Sequence, residues 1–284
     1  MKLLLDHNAG VNASTHTEGA TPLYIAARKG HTEVVKLLLD HKADVNSPRT
    51  DDGSTPLCVT AQNGHTEVVK LLLEHKADVN VSRHAGATPL YNAARKGHTE
   101  VVKLLLHNEA DVDASTHTDG YSALFIAAEK GHSEIVELLL NHKGDVNVIR
   151  HRDGSSPLHL LAENGQTKLV KLLLDHNPDV NAQCPDDGST ALYIAAKKGH
   201  TAVVKLLLDH KADVNASVYA DGSTALDAAT QKGHIKIVKL VTDRGPTERM
   251  AHGGGVHAGL RKTRRPGLHA EARHGNPAHI LTNG

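Results

Sequence analysis

Apolar residues in this chain fall into short blocks that return at a fixed interval. The block Val34, Val35, Leu37, Leu38, Leu39 recurs as Val68–Leu73, Val101–Leu106, Ile135–Leu140, Leu169–Leu174 and Val203–Leu208. Ahead of each lies a second block, Leu23, Ile25, Ala26, Ala27 in its first complete form. A Thr/Ser-Pro/Ala-Leu triplet opens that second block at Thr21, Thr55, Thr88, Ser122, Ser156, Thr190 and Thr224. The starts are 34, 33, 34, 34, 34 and 34 residues apart. A period of this size predicts a solenoid, in which each unit is too small to fold alone and buries its apolar face against its neighbours.

One unit, Gly19 to Asp52, shows the elements. Thr21 is placed to cap a helix through its hydroxyl, and Pro22 suits the first helical position, where its missing N–H would be unpaired anyway. A helix is predicted from Pro22 to about Lys29, ending at Gly30. Glycine fills that place in every unit (Gly30, Gly64, Gly97, Gly131, Gly165, Gly199, Gly233), as a left-handed helix exit favours. A second helix is predicted from Thr32 to Asp40. It is apolar around most of its circumference and must be covered on several sides, while Glu33, Lys36 and Asp40 form a polar stripe. Helices of about nine residues do not persist alone in water, so stacking has to hold them. Ala43 to Gly53 is rich in turn residues and predicts a hairpin-like finger.

The runs Thr21-Pro-Leu-Tyr-Ile-Ala-Ala, Gly30-His31, Val34-Val-Lys-Leu-Leu-Leu39 and Ala43-Asp-Val-Asn46 together resemble the ankyrin repeat. The resemblance covers residues 1 to about 245 and implies an all-α repeat solenoid, with stacked helix–turn–helix units and β-hairpin fingers. Its units are 19–52, 53–85, 86–119, 120–153, 154–187, 188–221 and 222–245, preceded by a partial repeat over 1–18. The family's usual His after Thr-Pro-Leu is replaced by Tyr24, Cys58, Tyr91, Phe125, Tyr193 and Asp227, and is kept only at His159. The glycine that often precedes Ala-Asp-Val-Asn is replaced by Lys42, Lys76, Glu109, Lys143, Asn177 and Lys211. In a left-handed conformation each of these costs ~1 kcal/mol. Most fingers are also one residue longer than the family standard.

Met1 to Asn8 aligns with a second helix whose first helix is absent. The expectation is therefore a truncated chain, or a fragment of a larger multidomain protein whose repeats recruit substrates or regulate a catalytic domain. Residues 246–284 lose the periodicity and are expected to be a disordered tail. Arg249, Arg261, Lys262, Arg264, Arg265 and Arg273 make this segment basic against Glu248 and Glu271. It is the one place where nucleic acid would be contacted, and nucleic acid is not the expected partner.

Composition narrows the chemistry. Aromatic residues make up 2% of the chain, so burial must come from Leu, Val, Ile and Ala. Basic and acidic residues number 32 each, so overall charge names no partner. Cys58 and Cys184 fall at unrelated positions, outside any metal spacing, and suit a reducing compartment. No apolar run reaches membrane-spanning length. The 23 histidines mostly recur at two repeat positions, after the interhelical glycine and near the end of the second helix. Equivalent positions in adjacent repeats lie roughly 8–10 Å apart, too far for two to share an ion at about 2 Å. The reading is no metal, no cofactor, no catalytic residues and no enzyme: a monomeric, cytoplasmic interaction scaffold, with the nucleus as the alternative location.

Ankyrin repeats bind partners through finger tips and the exposed face of the first helix. Carried onto this chain, the candidates on first helices are Arg28, Lys29, Arg95, Lys96, Lys130, Lys197 and Lys198. Those in or beside fingers are His16, Arg49, Arg83, His117, Tyr121, Arg150 and Tyr219. The helical row as a whole holds eight basic and two acidic side chains, which points to an acidic protein or peptide. Tyr24, Tyr91, Phe125 and Tyr193 read as a packing ladder. The resemblance also implies asparaginyl hydroxylation at Asn46, Asn80, Asn147, Asn181 and Asn215, each with Leu eight residues earlier. The alternative for these asparagines is to brace the finger turn.

Overall fold

The computed structural model describes residues 10–244. What the sequence leads one to expect of residues 1–9 and 245–284 lies outside the described residues. Within them the chain forms helices in pairs. The first members are α1 (Pro22–Lys29), α3 (Pro56–Asn63), α5 (Pro89–Lys96), α7 (Ala123–Lys130), α9 (Pro157–Asn164), α11 (Ala191–Lys198) and α13 (Ala225–Gln231). The second members are α2 (Thr32–Asp40), α4 (Thr66–Glu74), α6 (Thr99–His107), α8 (Ser133–Asn141), α10 (Thr167–Leu174), α12 (Thr201–Asp209) and α14 (Ile235–Arg244).

Local chemistry sets the ends. Thr21 sits in extended backbone and its hydroxyl accepts the Tyr24 N–H at 3.2 Å, and the pattern repeats at Thr55, Thr88, Ser122, Thr190 and Thr224. Gly30 closes α1 at φ 71°. A Cβ there would also lie 2.7 Å from the His65 ring of the next unit, so this site excludes side chains twice over.

Odd helices pack on odd and even on even, giving two layers. Leu23, Leu57, Leu90, Leu124, Leu158 and Leu192 form a fully buried ladder in the first layer, and Leu38, Leu72, Leu105, Leu139, Leu173 and Leu207 form one in the second. Each such leucine is worth roughly 1.5–3 kcal/mol of burial. Odd helices approach one another more closely than even helices do.

The fingers close as turns rather than paired strands. Arg49 N–H donates to Ser54 O (2.9 Å) and Gly53 N–H to Arg49 O (3.0 Å), and equivalent bonds close the other fingers. Among the described residues the strand pairing expected of β-hairpins is reduced to two isolated antiparallel bridges, Ser115 with Ser122 and Ser217 with Thr224. One backbone bond joins each finger to the next: Thr50 N to Glu18 O, His84 to Asp52, His117 to Ala85, His151 to Asp119 and Tyr219 to Asp187, at 2.8–3.1 Å. Pro185 occupies the remaining rung and has no N–H to donate.

Side chains add two further ladders. His65, His98, His200 and His234 donate from Nε2 to Arg28 O, Gln62 O, Glu163 O and Lys197 O of the preceding unit, at 2.9–3.3 Å. Below the fingers, Asn46 Oδ1 accepts Asp78 N–H at 2.9 Å and Asn80 accepts Asp111 N–H at 2.8 Å, with Asn147 and Asn181 following suit. Most histidines near the end of the second helix turn Nδ1 onto a carbonyl of that helix, as His75 does to Leu71 O at 2.8 Å.

A candidate partner-binding face

The odd helices and fingers together build one face, and two sequence positions meet there. One is the residue after Thr/Ser-Pro/Ala-Leu, and the other is the residue of the same unit's finger that lies over it. Arg49 crosses to Tyr24, with its guanidinium 5.3 Å from the ring centre and Nη1 donating to the hydroxyl at 3.3 Å. It also pairs with Asp51 and with Glu18 (3.3 Å). Arg150 stacks 5.7 Å over Phe125, donates to the Tyr121 hydroxyl at 3.4 Å and grips the Asp153 carboxylate. Burial works against the charged Asp153, but hydrogen bonds from Arg150 and Ser155 outweigh it and hold its pKa at about 2. Both arginines are half-buried, and Arg49 also reaches the preceding unit through Glu18.

The other candidates divide. Arg28, Lys29, Lys96, Lys130, Lys197 and Lys198 are exposed. Lys198 meets Glu163 at 3.0 Å, Lys130 meets Glu129 at 3.6 Å, and Lys197 lies 5.5 Å over the Tyr193 ring. Arg95 is half-buried beside Tyr91, with its Nε lacking a partner among the described residues. Arg83 lies 3.6 Å from Asp52. His16 and His117 are exposed on finger rungs, and Tyr121 packs edge-on against Phe125 at 5.2 Å. Tyr219 is 61% exposed and lies across Gly188, where an added Cβ would come within 2.6 Å of its ring. Tyr24, Tyr91 and Phe125 are buried as a packing ladder requires, and Tyr193 is half-buried. Asn46, Asn80, Asn147, Asn181 and Asn215 are exposed.

One stretch of this face is deeper than the rest. A cleft of about 430 Å³ lies between the fifth and sixth units. Leu160, Tyr193 and Ile194 line it together with Lys197, Asp186 and Asp187. His159 also lines a second recess of about 370 Å³ with Ile149, Gln183 and Pro185. Sequence reading had no basis for this cleft, although the signals were present: His159 and Pro185 each stand alone among their equivalents.

His159 and Cys184 border the cleft but do not assemble a nucleophile. The His159 Nε2–H donates to Ala182 O at 2.9 Å, and Nδ1 accepts from Ser156 at 2.8 Å, which leaves no nitrogen for the thiol. Burial lowers the His159 pKa. Burial, with Asp187 and Asp153 nearby, raises the Cys184 thiol to about 11, far from thiolate reactivity. Cys58 is buried and its thiol is likewise raised by burial. Among the described residues no three His, Cys, Asp or Glu converge on a metal position, and no helix is long and apolar enough to cross a membrane.

No curated protein matches the chain. A family model described as ankyrin repeats (3 copies) matches residues 1–49, 42–116, 109–184 and 158–248. With paired helices, left-handed glycine exits and finger turns repeating through those same residues, the chain belongs to the ankyrin-repeat family.

Proposed function

We propose that this chain is a non-catalytic scaffold that holds an acidic protein or peptide against its fingers and odd helices, anchored in the cleft between the fifth and sixth units. Ankyrin repeats are in general protein-interaction modules. The observation that carries the finer reading is the contrast between the two layers. Even helices repeat nearly unchanged and spend their apolar residues on packing, whereas the odd-helix face varies and exposes Arg28, Lys29, Lys96, Lys130, Lys197 and Lys198.

At the cleft, Lys197 lies beside Leu160 and Ile194, while Asp153, Glu163, Asp186 and Asp187 share the lining and Glu163 pairs with Lys198. Lys197, with no carboxylate partner among the described residues, is the group that would take an acidic residue beside an apolar one. Exposed Asn46, Asn80, Asn147, Asn181 and Asn215 are the positions an asparaginyl hydroxylase would reach. The cytoplasm, or the nucleus, is the compartment this reading assigns.

The test is a partner captured by proximity labelling and titrated against variants. Lys197→Glu with Lys198→Glu weakens binding about 10-fold or more, since charged rim contacts steer association and suppress mismatched partners. Glu100→Lys with Lys103→Glu on α6 leaves it within about 2-fold. The reverse pattern would place the partner on the even helices.

A further inference from the structure

The even helices carry a charge pattern unrelated to partner capture by the fingers. In the first four, an acid opens the helix: Glu33, Glu67, Glu100 and Glu134. Two of the three lysines beside them are paired with these acids. Lys70 meets Glu67 at 2.7 Å, and Lys103 meets Glu100 at 2.8 Å and, across the unit boundary, Glu134 at 3.2 Å.

The last three even helices break that arrangement. The acid is replaced by Lys168, Ala202 and Lys236, while Lys171, Lys205 and Lys239 remain. In the register that joins Lys103 to Glu134, Lys171 faces Ala202 and Lys205 faces Lys236. All five lysines are exposed, and none has a carboxylate partner among the described residues. The acids of these helices, Asp175, Asp209 and Asp243, lie at the opposite ends, and Asp209 is taken by Arg244 at 2.6 Å. Glu137 bounds the row on the side of the fourth unit.

Lys168 and Lys236 also sit in a first helical turn, where the helix dipole disfavours a cation. A departure from local preference with no partner inside the fold marks a surface kept for something outside it. The row spans about 20 Å over three helices spaced roughly 8–10 Å apart.

The residue types narrow what that is. Lysine is a hydrated point charge without arginine's bidentate fork, so the row suits a diffuse anionic surface better than a particular carboxylate. None of the chain's aromatic residues lies on an even helix, so base stacking has nothing to build on. A second copy would offer only an acidic row already neutralised by its own lysines.

Beside Lys236, where five of the other six second helices begin with threonine and α8 with serine, stands Ile235, 80% exposed. An apolar side chain among lysines fits a lipid interface, where it enters the boundary while the charges meet head groups. We infer that the even-helix face of the last three units docks on an anionic lipid surface through Lys168, Lys171, Lys205, Lys236 and Lys239, with Ile235 inserted.

Co-sedimentation of the full chain with phosphatidylcholine vesicles containing about one third phosphatidylserine tests this, with pure phosphatidylcholine as the reference. The full chain binds the charged vesicles at low salt and not the neutral ones. Lys168→Glu, Lys205→Glu and Lys236→Glu together lower the partition about 100-fold or more, with circular dichroism unchanged. The same three positions as glutamine lower it less but measurably, and Ile235→Ser lowers it several-fold with all charges kept. The matched set Lys36→Glu, Lys70→Glu and Lys103→Glu, which makes the same change in net charge, has little effect. No binding to charged vesicles overturns the inference. So does binding that ignores the first triple, which would assign it to the basic 246–284 segment, or lysine-dependent binding to duplex DNA with none to vesicles.

Discussion

Lys42 holds its backbone at φ 65°, and Lys76, Glu109, Lys143, Asn177 and Lys211 do the same at 53–65°. All six follow the end of a second helix, where family members often have glycine. Replacing Lys42 or Lys76 with glycine removes a strain of ~1 kcal/mol against a smaller entropic penalty in the unfolded chain. Each substitution is expected to raise the melting temperature by about 2 °C, read by differential scanning calorimetry; a lower value would show the strain relieved in some other way. This feature was legible in the sequence because it is local, a cap at a fixed place in the repeat. Other residues were not legible. Asn92 aligns with Ile25, Ile126 and Ile194, yet it is completely buried, with neither amide atom partnered among the described residues. Nothing in the structure explains that choice. Arg49 and Arg150 stood in the sequence as finger residues free for a partner. Their commitment to Tyr24, Tyr121 and Phe125 depends on how the finger folds back over the first helix of its own unit, which spacing alone does not fix.

At the level of elements, helices followed from the sequence and fingers only partly did. Caps, glycine exits and apolar blocks act within one unit, so Pro22–Lys29 and Thr32–Asp40 appear where the pattern puts them. A finger is held by one backbone bond to the next finger, and at Pro185, next to the cleft residues Cys184 and Asp186, that bond is missing. Pro185→Ala supplies an N–H opposite Asp153 O. A new bond there is worth about 1 kcal/mol, and the new amide at residue 185 is expected to exchange more slowly than an exposed amide. Exchange as fast as at an exposed amide would show that the bond does not form.

Residues 10–244 form a one-dimensional stack, whose stability is a sum over neighbours. Deleting residues 120–153, one complete unit, is expected to leave a shorter folded solenoid by circular dichroism, whereas Leu72→Asp, which puts an unpaired charge into a fully buried ladder, unfolds its surroundings. Complete loss of helix on deleting the unit would contradict neighbour-only coupling. The same logic separates the two faces. The even layer spends nearly all its apolar residues on packing and the odd layer is free to vary, so the central claim concerns where a protein partner lies. Hydrogen–deuterium exchange of the chain with and without its captured partner tests it directly. The account predicts new protection in the fingers and in α9 and α11, strongest over 150–198, with the even helices unchanged. Protection confined to the even helices, with the fingers and the cleft untouched, would contradict it.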